Sequence, residues 1–157
     1  MKKQTLRVAL MFGFLLAMAT ATAQAQTSLK ITATIPFNFN VGDKVLPAGD
    51  YTIRRATRSD KALVVESADG QASAMIITDA VETDSRQKQT TKLEFRHYGE
   101  QFFLHRVWTS ANPTGRQLPT TRRERVLQRE TARNARQTDA PKQAAQGEII
   151  SINGSLR

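Results

Sequence analysis

Residues 29–54 read LKITATIPFNFNVGDKVLPAGDYTIR, and the alternation within them decides the fold class. Leu29, Ile31, Ala33, Ile35, Phe37, Phe39 and Val41 take every second position, with Lys30, Thr32, Thr34, Asn38 and Asn40 between them. A period of two sends the whole apolar row to one face of a β-strand. Gly42-Asp43 interrupts the row, Leu46-Pro47-Ala48-Gly49 carries Pro at the second position of a turn, and Tyr51-Thr52-Ile53 resumes a strand. The stretch has no Cys, no His and no paired carboxylates, so it predicts packing rather than chemistry.

The same grammar continues downstream. Ala62–Ser67 is short and β-branched, Asp69-Gly70 is a hairpin signal, and Ala72–Val81, centred on Met75, Ile76 and Ile77, predicts one further strand. Glu82–Gln89 is polar throughout and predicts an exposed loop. Thr91–Tyr98 and Gln101–Thr109 predict a hairpin, because Gly99 stands at the first central position of a two-residue loop. In that register Phe95 faces Leu104, His97 faces Phe102, Leu93 faces Arg106 and Thr91 faces Trp108. The opposite face pairs Glu94 with His105 and Arg96 with Phe103. Phe103 thereby falls on a polar side and calls for a second covering layer or an exposed contact. The expected fold is mainly β, an antiparallel meander that closes as a small barrel or a sandwich, over residues 26–119.

Both ends differ from this body. Lys2, Lys3 and Arg7 precede an apolar run over Val8–Ala19 and an A-x-A site at Ala23–Ala25, which predicts a signal peptide over 1–25 and a mature chain beginning at Gln26. The run is about a dozen residues against the roughly 20 that span a bilayer, so no transmembrane span is expected after its removal. Without the three leader cations the 23 basic residues become 20 against 14 acidic, a balance of +6 carried almost entirely beyond residue 115. The absence of Cys excludes disulfides, thiol nucleophiles and thiolate metal sites. Thr121-Arg122-Arg123-Glu124 is a capping box and predicts a helix over 122–136 within a basic segment 120–137. Residues 138–157 predict a polar linker followed by a candidate last strand around Ile149–Ile152, or else a disordered tail.

Two segments together, IPFNFNVGDKVLPAGDYTI at 35–53 and LEFRHYGEQFFLHRVWTSANPTGRQLPTTRRER at 93–125, carry a resemblance. They resemble a group of small exported bacterial β-rich proteins that share a strand-LPAG-strand opening and a V-W…GRQLP…RE ending. The resemblance implies export to the periplasm or cell exterior and a β fold, and it assigns no activity and no functional residue. LPAGDYTI by itself also resembles a turn of prealbumin-like and other β-sandwich modules.

Chemistry is sparse. His97 and His105 are the two histidines and project to opposite faces in the expected register, so they cannot share a metal. No catalytic residue, metal site or cofactor is expected. Arg122, Arg125, Arg129, Arg133 and Arg136 recur three or four residues apart, one cationic stripe on a helix. The first expectation is an exported, non-enzymatic envelope protein whose stripe meets an anionic lipid headgroup or acidic glycan, with nucleic acid ranked below both. The second is a β-barrel carrier of a small apolar ligand, its cavity lined by Phe37, Phe39, Tyr51, Phe95, Phe102 and Trp108. An enzyme comes third, and nothing in the sequence speaks to oligomeric state.

Overall fold

The computed structural model describes residues 30–56, 61–82, 90–137 and 147–156. The expected signal peptide 1–25 with its expected Ala25–Gln26 junction, residues 83–89 of the expected loop and the expected linker over 138–146 lie outside the described residues.

Two sheets face each other as a sandwich, not a closed barrel. The first contains β1 (Lys30–Ile35), β4 (Gly49–Arg55), β5 (Ala62–Ser67), β6 (Ser73–Ile77) and β12 (Ser155–Leu156), in the order β12-β1-β4-β5-β6. The second contains β7 (Asp79–Glu82), β8 (Lys92–Tyr98), β9 (Gln101–Thr109), β10 (Asn112–Gln117) and β11 (Glu148–Asn153), in the order β11-β8-β9-β10-β7. A small hairpin of β2 (Phe39–Val41) and β3 (Lys44–Leu46) joins it where β2 runs parallel to the start of β9. The other pairings are antiparallel.

The alternating row of the opening stretch is two strands rather than one. Ile31, Ala33, Ile35, Phe39 and Val41 are all buried and Phe37 packs against them, so the period of two survives in burial. The hydrogen bonds change partner, from β4 before Pro36 to β3 and β9 after it. Proline has no N–H with which to continue a ladder, and the chain crosses there from one sheet to the other. Ala72–Val81 divides in the same way at Thr78. Thr78 is buried, and both its N–H and its hydroxyl donate to the Lys61 carbonyl, at 2.6 and 3.1 Å. Gly42 and Gly99, with φ of 61° and 60°, stand first in two-residue hairpin loops, where a left-handed backbone matches the strand twist.

The β8–β9 hairpin keeps the expected register near its loop and departs from it further on. Phe95 faces Leu104, Arg96 faces Phe103 and His97 faces Phe102, but Glu94 faces Arg106, Leu93 faces Val107 and Lys92 faces Trp108. His105 is the extra residue of a β-bulge. Leu104 and Val107 are both core residues three apart, which a regular strand would place on opposite faces; the bulge reconciles them. The bulged His105 carbonyl accepts the Leu118 N–H at 2.9 Å.

Helix α1 (Arg122–Gln137) begins where the capping box places it. Thr121 Oγ1 accepts the Glu124 N–H at 3.1 Å, and the Glu124 carboxylate reaches back to the Thr121 N–H. Beyond the described helix, β11 pairs with β8 over six residues and β12 pairs with β1, so the chain's last strands edge both sheets.

Candidate functional site

The five arginines stand on one side of α1. At about 100° per residue Arg122, Arg125, Arg129, Arg133 and Arg136 fall within roughly a quarter of the helix circumference, and all five are exposed. Glu124, Leu127, Gln128, Thr131 and Ala135 occupy the opposite side and are buried or half-buried. None of the described ion pairs involves a stripe arginine. Among the described residues the stripe is thus a row of cations without a carboxylate partner, and like charges at this spacing repel by a few tenths of a kcal/mol per pair.

What holds the stripe in place lies beneath the helix, on the outer face of the second sheet. Arg96 Nη1 of β8 meets Glu124 Oε1 at 3.4 Å, with only 6% of the Glu124 side chain exposed. Burial pushes the Glu124 carboxyl above its ordinary pKa, against the opposing pull of Arg96 and the Thr121 N–H. Tyr98 and Phe103 pack edge to face beside this pair, so the covering layer that Phe103 calls for is present and Phe103 is buried. Next along the sheet, Glu94 accepts from Lys92 Nζ at 2.8 Å and lies 3.8 Å from Arg106 Nη1. Burial alone would raise the Glu94 carboxyl; Lys92, the nearby Trp108 indole and the Arg106 charge outweigh it and hold its pKa below the ordinary value. The Trp108 Nε1 itself closes no hydrogen bond of ordinary geometry.

His105 is buried among these charges. Desolvation and the charges of Arg96 and Arg106 push its pKa down to about 4, against the opposing pull of Glu94, so the ring is neutral at pH 7. His97 lies elsewhere, stacked on Phe102 at 4.2 Å with Nδ1 3.6 Å from Glu148. Among the described residues no three His, Asp or Glu side chains converge as a metal-ligand set.

Five of the six residues expected to line a cavity form a continuous run of touching rings. Phe102 stacks on Phe37 at 3.9 Å, Phe37 meets Phe95 edge-on at 5.3 Å, Phe95 meets Phe39 at 5.5 Å and Phe39 meets Tyr51 at 5.0 Å. Trp108 is separate, on the outer face against Gly115. A concave space of about 520 Å³ lies instead on the outer face of the first sheet, among Thr32, Thr34, Asp50, Thr52, Asn153 and Ser155. Its lining comes from surface residues of separate segments, so no single motif spans it.

Comparison with protein-family models, with curated proteins and with solved structures yields no match for this chain.

Proposed function

We propose that the chain is an exported, non-enzymatic envelope protein in which the β-sandwich is a scaffold and α1 docks on the anionic headgroups of a lipid surface. The observation that carries this reading is the row of five exposed arginines without an ion-pair partner among the described residues, opposite a helix side anchored to the sheet through Glu124 and Arg96. A solvated helix gains nothing from such a row, whereas an anionic surface turns its self-repulsion into attraction. The helix has no broad Trp, Phe and Leu face, so contact is electrostatic rather than insertive. Among the described residues no helix is long and apolar enough to cross a membrane.

Co-sedimentation with phosphatidylcholine vesicles, with and without one quarter phosphatidylglycerol, tests the proposal. Binding is expected only to the anionic vesicles and is largely lost at 1 M salt, where the Debye length falls to about 3 Å. Each basic residue near an anionic bilayer contributes about 1 kcal/mol, so Arg129→Glu/Arg133→Glu weakens binding at least about thirtyfold while leaving the melting curve in place. Equal recovery on both vesicle types, or an unaffected double variant, removes the lipid reading. Retention of the salt-sensitive binding by an acidic polysaccharide alone would transfer the stripe to a glycan.

A further inference from the structure

The concave space on the first sheet continues past the residues that line it most closely. A second hollow of about 260 Å³ shares Asp50, Tyr51 and Ala68 with it and extends to Asp69 and Gln71. The two form one trough that crosses β12, β1 and β4 and ends at the loop after β5, a span of about 14 Å at about 4.8 Å between neighbouring strands. Its larger part exceeds the roughly 300 Å³ at which ligand sites begin.

The lining chemistry narrows the occupant. Thr32, Thr34 and Thr52 alternate with core residues, so the pleat points their hydroxyls outward into the trough. Several hydroxyl protons are already committed within the protein. Thr34 donates to Asp50, Thr32 donates to the Ser155 carbonyl at 3.4 Å, and Ser67 donates to Asp69. What these groups still offer are oxygen lone pairs, together with the carboxylates of Asp50 and Asp69. Among the described residues no Lys, Arg or exposed aromatic ring lines either part. The lack of described cations disfavours phosphates and other anions, and the two carboxylates already accept from Thr34, Ser67 and the Gln71 N–H. The apolar part of the lining comes from small residues such as Ala48, Ala68 and Ala72 rather than from one broad hydrophobic side chain, a mixture that suits the CH and OH faces of a sugar better than an acyl chain. The ligand that fits is uncharged, extended and rich in hydroxyl donors.

We propose that this trough binds a short stretch of neutral polysaccharide, of the order of a trisaccharide. The site lies on the sheet opposite the one that carries α1, so it is independent of the arginine stripe. Its walls come from the two ends of the described chain, Thr32–Thr34 on one side and Asn153–Ser155 on the other, and it exists only when β12 has paired with β1.

Amide chemical shifts of the full mature chain, titrated without vesicles, provide the test. The probes are maltotriose, cellotriose and chitotriose, with trigalacturonate and trilysine as charged comparators. At least one neutral trimer is expected to shift the amides of residues 32–34, 50–52 and 153–155 with millimolar affinity, equivalent to about 4 kcal/mol. Asp50→Ala and Asn153→Ala, both at exposed positions on different walls, should each weaken that binding at least tenfold without altering the core spectrum. The proposal is overturned if no neutral trimer shifts those amides, if the shifts fall elsewhere, or if both variants bind as the parent does. It is equally overturned if trigalacturonate or trilysine binds more tightly than every neutral trimer.

Discussion

His105 shows how one inserted residue sets a pH dependence. The bulge that brings Leu104 and Val107 into the core together turns the imidazole toward Arg96, Arg106 and Glu94, and the fold holds it neutral with a pKa of about 4. In the unfolded chain it titrates near 6.5, so between those values unfolding takes up a proton and stability falls as pH falls. The full window is worth about 3 kcal/mol at 1.36 kcal/mol per pH unit. Glu94, held below its ordinary value, acts in the same direction at lower pH, whereas Glu124, raised by burial, loses stability as pH rises. Comparing His105→Gln with the parent cancels both: urea midpoints at pH 7 and pH 4.5 should differ markedly in the parent and much less in the variant. Gly154 exerts a different single-residue constraint. A Cβ there would stand 2.7 Å from Ile31 Cγ2, at the point where the last strands cross between sheets.

Among the elements, α1 depends on one carboxylate for two functions. Glu124 closes the helix cap at Thr121 and neutralises Arg96, which is itself half-buried. Removing the carboxylate opens the cap and leaves half-buried Arg96 without its partner, a loss of about 1–3 kcal/mol. Glu124→Ala should therefore raise hydrogen exchange along α1 while the β8–β9 amides stay protected; uniform exchange across both would mean that the helix is held by something else. The helix was legible in the sequence because a capping box and a three-to-four arginine spacing are local signals. The β8–β9 hairpin was legible from Gly99 back to Phe95, where the loop fixes the register, and not from Glu94 onward, because a bulge obeys distant packing. Pro36 and Thr78 hid two sheet changes inside unbroken apolar patterns, since a strand that switches sheets keeps its inward face. The trough was not legible at all. Threonine, serine, aspartate and asparagine from four separated segments meet there only through pairing.

At the scale of the whole molecule, four crossings, at Pro36, Pro47-Ala48, Thr78 and Gly154, bind the two sheets into one body, and the last comes from residues that follow the helix. Ile150 and Ile152 of β11 pair with Phe95 and Leu93 of β8, and each half-buried isoleucine contributes about 1 kcal/mol on top of the six-residue ladder. Set against a total stability of about 5–15 kcal/mol, their loss is large. A chain ending at residue 146 should unfold at much lower urea and elute as aggregates in size-exclusion chromatography; a monomer of parental stability would show that the edge strands are dispensable. The pairing of Thr32 with Ser155 spans 123 residues. Closing a loop of that length costs about 4 kcal/mol of chain entropy, so this contact forms late in folding. Until it does, β1 and β8 each carry an open edge, the condition in which β-proteins join one another instead of themselves. A chaperone that holds residues 147–156 of the newborn chain would therefore set the moment at which the whole molecule matures.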